Sequence, residues 1–156
     1  LGRTLSGMTT TPVTGKRWEP GGGSPRLEYR MRLLAGGPAS VHAFFSPTLD
    51  YLARGLRYAV SFDADPPQIV DLWPRGATPS EPGQGTPSRQ AWEKAVADNI
   101  TIGITGHTIA APGFHVLKYW LVDPGVVLQK IVVDAGGLRP SYLGPPESYR
   151  RRSRNP

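Results

Sequence analysis

"KYWLVDPGVVLQKIVVDAGG", Lys118–Gly137, is the stretch on which the fold reading turns. Two apolar runs flank Asp123-Pro124-Gly125, a turn signal, so the stretch reads as a hairpin of two closing strands. The second run does not alternate cleanly, because Val127, Leu128, Ile131 and Val133 all look buried. A bulge near Gln129-Lys130 would bring them onto one face. The tail that follows, "LRPSYLGPPES", is rich in Pro and Gly and serves no core in any obvious way.

Working outward, "RLEYRMRLL" sets Leu27, Tyr29, Met31 and Leu33 against Arg26, Glu28, Arg30 and Arg32. A period of two with one charged face predicts a half-buried strand. "ASVHAFF", "GLRYAVSFD" (Gly55–Asp63) and "QIVDLW" (Gln68–Trp73) continue the series. "ITIGITGHTIA" is strand-like, with two glycines that suggest a bulge or an edge. Residues Thr9–Thr14 could add one edge strand. Gln90–Asn99 fits a short helix, although Trp92, Lys94 and Val96 also alternate. Pro74–Arg89, with four prolines and three glycines, is a loop.

The totals agree. A chain of 156 residues suits one domain with one core, and 19 Gly with 17 Pro favour many turns. The fold class expected is all-β: a two-sheet β-sandwich, jelly-roll or galactose-binding-like, with seven to eight strands and at most short helices. Residues 1–148 form that domain and 149–156 a basic flexible tail. Four arginines in the last seven residues account for most of the net charge of +6, leaving an ordinary body at +2. Charges so dense read as a solvated end rather than a nucleic-acid arm. No run is long enough to span a membrane, so neither a membrane nor nucleic acid is an expected partner. The sequence opens on Leu1 with no visible signal peptide, as a segment of a longer chain would.

Catalytic motifs are absent. The sequence has no Cys, and no Ser lies in G-x-S-x-G. His42 alternates within a strand, His107 follows a Gly in what reads as a turn, and His115 precedes an apolar run. No metal-binding spacing joins them. Asp63, Asp65, Asp71, Asp98, Asp123 and Asp134 stand mostly at strand ends, where Asp bonds the nearby backbone. Asp63 and Asp65 are weak candidates for a structural calcium, and no other cofactor is implied. Sugar binding asks less, since an exposed Trp beside a polar loop can stack on a pyranose. Trp73 qualifies best, with Trp92 across the Pro74–Arg89 loop. Trp120 reads as packing.

"AWEKAVADNI" and "HTIAAPGFHVLKYWLVDPGVVLQKIVVDAGGLRPSYLGPPES" resemble the C-terminal domain of glycoside hydrolase family 115, the xylan α-1,2-glucuronidases. "GRTLSGMTTTPVT", "SPRLEYRMRL" and "VHAFFSPTLD" extend the likeness over nearly the whole chain, while the terminal "YRRRSRNP" fits no part of it. The resemblance implies a β-sandwich appended to a catalytic barrel. The family's catalytic carboxylates lie in the preceding domains, so no residue here is expected to be catalytic.

Two functions follow from the likeness. One is a carbohydrate-binding or accessory module whose partners are xylan or glucuronoxylan and the catalytic domain. The other is a structural domain that packs on that barrel or supports a homodimer. A bacterial secreted or periplasmic location goes with either. In the first case Trp73 and Trp92 would form the sugar platform, and Arg75 and Arg89 would pair with a glucuronate carboxylate. The plainer alternative is that both tryptophans anchor the loop to the sandwich.

Overall fold

The computed structural model describes residues 4–21, 23–50, 55–73 and 89–149. Seven strands and one helix occur among them: β1 (Arg26–Leu33), β2 (Gly37–Phe45), β3 (Arg57–Phe62), β4 (Gln68–Asp71), α1 (Arg89–Asp98), β5 (Thr101–Ile109), β6 (Gly113–Leu121) and β7 (Leu128–Asp134). They build two antiparallel sheets, ordered β1-β6-β3-β4 and β5-β2-β7. This is the all-β sandwich expected. Only β3 and β4 are joined as a hairpin. Every other step carries the chain from one sheet to the other.

The Asp123-Pro124-Gly125 turn is therefore not the tip of a hairpin. β6 already pairs with β1 on one side and β3 on the other, so it has no free edge for β7. β7 joins β2 in the facing sheet. The apolar residues around the turn line the crossing between sheets, and Val122 and Val126 are fully enclosed there. The bulge lies where the broken alternation points: Phe44 faces Lys130 but Phe45 faces Leu128, leaving Gln129 as the extra residue. Thr9–Thr14 forms no strand. Met8 alone bridges to Leu128, and Pro12, with no N–H to give, sits in the turns that follow.

Phe45 of one sheet meets Tyr58 and Tyr119 of the other, with ring centroids 4.7 Å and 6.4 Å away. These rings centre a core that includes Val41, Val60, Phe62 and Leu117. β5 is an edge strand, and its Gly103 has a definite reason: a Cβ there would collide with the Tyr58 hydroxyl. Burial without a hydrogen-bond partner raises the Tyr58 and Tyr119 pKa values well above the ordinary range, so both stay neutral phenols.

Helical spacing prevails over alternation at Arg89–Asp98, because it puts Trp92 and Ala95 together on the core side. The helix ends in a left-handed Asn99 (φ 55°), with Asn99 N–H bonding Val96 O and Ile100 N–H bonding Ala95 O. That pattern is a Schellman cap, completed by the buried Ile100. No described helix is long and apolar enough to cross a membrane.

The segments before β1 and after β7 each cover part of an outer face. Trp120 packs with Ala59 and Val122 outside the main core, where Trp18 N–H bonds Val122 O at 2.8 Å. Leu138 covers Phe44, Ile100 and Val132 on the opposite sheet. Lys130 then holds the tail by its Leu143 and Pro145 carbonyls, at 2.9 Å and 2.5 Å. Residues 150–156, the arginine-rich end, lie outside the described residues.

Candidate functional site

The expected sugar platform can be placed only in part. Arg75, the Pro74–Arg89 loop up to residue 88 and the side chain of Arg89 lie outside the described residues. Trp73 is 7% exposed and belongs to the main core. Its Nε1–H points to Thr48 O at 3.4 Å, and its backbone N–H is held by Asp71 Oδ1 at 3.0 Å. Trp92 meets it edge-on at 6.4 Å and is itself half-buried. The expectation of a Trp73 ring lying in water is corrected: β4 ends at Asp71, and the two residues after it turn inward under α1. Stacking on a sugar needs an open aromatic face, which Trp73 lacks.

The carboxylates are taken up by the fold. Asp63 Oδ1 accepts Val116 N–H at 2.8 Å, and Oδ2 accepts His115 Nδ1–H at 2.7 Å. Lys118 Nζ donates to the Asp63 carbonyl. Asp134 Oδ1 accepts from Gly136 and Leu138, and Asp71 Oδ1 from Leu56 and Trp73. Asp98 pairs with Lys94 along the helix. Among the described residues no group of three or more His, Cys, Asp or Glu side chains gathers around Asp63 and Asp65.

Asp123 is more than a turn residue. It is 2% exposed and binds Arg17 Nε at 2.7 Å and Arg57 Nε at 2.8 Å. Its Oδ2 also accepts the Arg57 backbone N–H at 3.1 Å. Arg57 has its pKa raised, chiefly by the hydrogen bond to Asp123, so the guanidinium stays charged.

The histidines separate. His107 lies not in a turn but inside β5, facing the core. There it meets Thr105 Oγ1 at 2.8 Å and the Phe62 ring edge-on. Burial lowers its pKa. His115 is raised, chiefly by its hydrogen bond to Asp63 and then by the one from Nε2–H to Ala111 O at 2.9 Å. With both ring nitrogens donating, His115 is a clamp and has no free lone pair to act as a base.

A histidine NMR titration is expected to place the His107 midpoint below the ordinary value of about 6.5 and that of His115 above it. The linked stabilities run in opposite directions. The His107 contribution is present above about pH 6.5 and is lost as pH falls through its lowered value. The His115 contribution is full below about pH 6.5 and is lost as pH rises through its raised value. The reverse order of midpoints would contradict both the burial of His107 and the hydrogen bonds of His115.

Among the aromatic residues of the strands, Phe114 is the most open. Phe114, at the start of β6, is 64% exposed on the outer face of the four-stranded sheet. The Arg30 guanidinium sits 4.4 Å above its ring, and Arg32 stands directly opposite in the register. The phase of β6 could have revealed this residue. Leu117, Tyr119 and Leu121 point inward, which leaves Phe114 on the outward phase.

The family model described as the glycosyl hydrolase family 115 C-terminal domain matches residues 1–147. A family GH115 4-O-methyl-α-glucuronidase with specificity for decorated arabinogalactans superposes with TM-score 0.58 at 18% identity, over 73% of this chain. At that identity the likeness is one of fold. The chain spans 14% of that enzyme's length. A family 35 carbohydrate-binding module from Clostridium thermocellum superposes with TM-score 0.46 at 10% identity, over 70% of each chain. No curated protein matches the chain by sequence.

Proposed function

The chain belongs to the glycosyl hydrolase family 115 C-terminal domain family, and from that premise we propose that it is the non-catalytic accessory domain of an α-glucuronidase. It is the C-terminal part of that architecture and not the catalytic barrel. The enzyme it serves acts on a uronate-decorated cell-wall polysaccharide, with glucuronoxylan the first candidate, met outside the cytoplasm in the secreted or periplasmic space of a bacterium. The domain's first task is to pack against the catalytic part. The observation that carries this is the tail after β7. It is fastened by Leu138 and Lys130, yet Tyr142 and Leu143 remain 61% exposed each. A held segment that turns large apolar side chains outward is built as a contact surface.

The test is binding in trans. This chain, mixed with a GH115 enzyme deleted of its own C-terminal domain, should co-elute with it and raise its melting temperature. The double variant Tyr142→Ser with Leu143→Ser should lose both effects while folding normally. Co-elution unaffected by the double variant would remove the tail from the interface. A wild-type chain that only self-associates in sedimentation would favour the homodimer instead.

A second reading has an observation of its own. The domain touches the polysaccharide, and Phe114 with its two arginines supports this where Trp73 does not.

A further inference from the structure

We infer that the outer face of β1 and β6, around Arg30, Arg32 and Phe114, binds the carboxylate-bearing sugar units of an acidic polysaccharide. This deepens the second reading above and rests on it. Charge is the first ground. Along the outward phase of β1, Arg26 and Glu28 neutralise each other at 2.6 Å. Arg30 and Arg32 are exposed, and neither has a carboxylate partner among the described residues. Lys118, on the same face of β6, adds a further cation and is directed at the Asp63 carbonyl. Asp63, which follows β3, is already engaged by His115.

Shape is the second ground. A charged outer face alone would serve to keep an edge strand from pairing with another chain. That role does not call for a phenyl ring left 64% in water between the charges. Here the ring works on Arg30. A guanidinium stacked on an aromatic face keeps its in-plane N–H donors directed sideways, held in one orientation before any ligand arrives. Arg32, opposite Phe114 across the strand pair, supplies a second fork beside it. A uronate matches both features, with a carboxylate for the forked donors and a C–H face for the exposed part of the ring. A neutral pyranose would use only the ring, and a simple polyanion only the arginines.

Affinity electrophoresis separates these cases. The probes are glucuronoxylan, the same polysaccharide with its uronates chemically reduced to neutral sugars, and polyglutamate. The wild-type chain should be retarded by glucuronoxylan and bind the reduced form about tenfold more weakly, as expected for loss of a charge-assisted contact. Arg30→Gln and Arg32→Gln should each weaken the glucuronoxylan interaction about tenfold, and Phe114→Ala by a similar factor. All three positions are outward, so unchanged melting temperatures are expected and keep the result interpretable. Retention as strong on polyglutamate as on glucuronoxylan would overturn the site as a sugar site. Wild-type binding that survives all three substitutions would overturn the site but leave polysaccharide binding standing. No retardation by any polysaccharide would overturn both.

Discussion

Asp123→Ala is expected to destabilise the domain by about 3 kcal/mol, one of the two largest single-residue effects foreseen here. Asp123 joins three parts of the chain that lie far apart in sequence. Arg17 belongs to the segment that covers Trp120, Arg57 starts β3, and Asp123 itself begins the crossing from β6 to β7. Removing the carboxylate leaves the Arg57 guanidinium, only 26% exposed, and the Arg57 backbone N–H without their acceptor. Unpairing a buried ion pair costs about 3–5 kcal/mol, and the partial exposure of both arginines argues for the lower end.

Two controls isolate the cause. Asp123→Asn keeps one acceptor oxygen but not the charge, so it should fall between wild type and Ala. Glu28→Ala breaks the Arg26–Glu28 pair, whose side chains are 41% and 44% exposed. It should cost no more than about 1 kcal/mol, as exposed pairs do. Chemical denaturation of the three variants measures all of this. An Ala variant as mild as Glu28→Ala would mean that the crossing is held by Val122 and Val126 alone.

Local patterns in this sequence were readable and long-range ones were not. The alternation in "RLEYRMRLL" identifies β1, and of the bulge or edge that the two glycines of "ITIGITGHTIA" suggest, the edge is found. The broken alternation after Val127 locates the Gln129 bulge. Each of these signals is contained within about ten residues. The false hairpin at Asp123 has the opposite character. Whether β7 can pair with β6 depends on β1 and β3 having already filled both sides of β6, and β1 lies some eighty residues earlier. His107 follows the same rule: its preceding Gly suggests a turn, but continuous pairing with β2 carries the strand through it. The arginine–phenylalanine face also forms only when β1 and β6 meet. The ionic partners of Asp123 are likewise invisible to periodicity, which reports burial and says nothing of which charges are brought together.

Trp73→Ala is the second large effect, expected at about 3–5 kcal/mol, as for a core aromatic. In a domain of this size that corresponds to a melting temperature lower by about 10 °C or more. The ring is 7% exposed, touches Trp92 edge-on at 6.4 Å and belongs to the main core beneath α1. Its loss leaves a cavity between the end of β4 and the helix, so α1 should loosen first. Faster amide exchange at Ala95 and Val96 than elsewhere in the core would report this. The same variant decides between the two sites considered for sugar. If the Arg30–Phe114 face carries the binding, folded Trp73→Ala protein at low temperature should retain its glucuronoxylan retardation while Phe114→Ala does not. If Trp73 belonged to the platform, the order would reverse: affinity would fall with little change in melting temperature. A Trp73→Phe variant controls for gross misfolding, since it restores most of the buried ring but not the Nε1–H directed at Thr48 O. It should recover most of the lost stability, and an equal loss in both variants would assign the effect to that hydrogen bond instead of to packing.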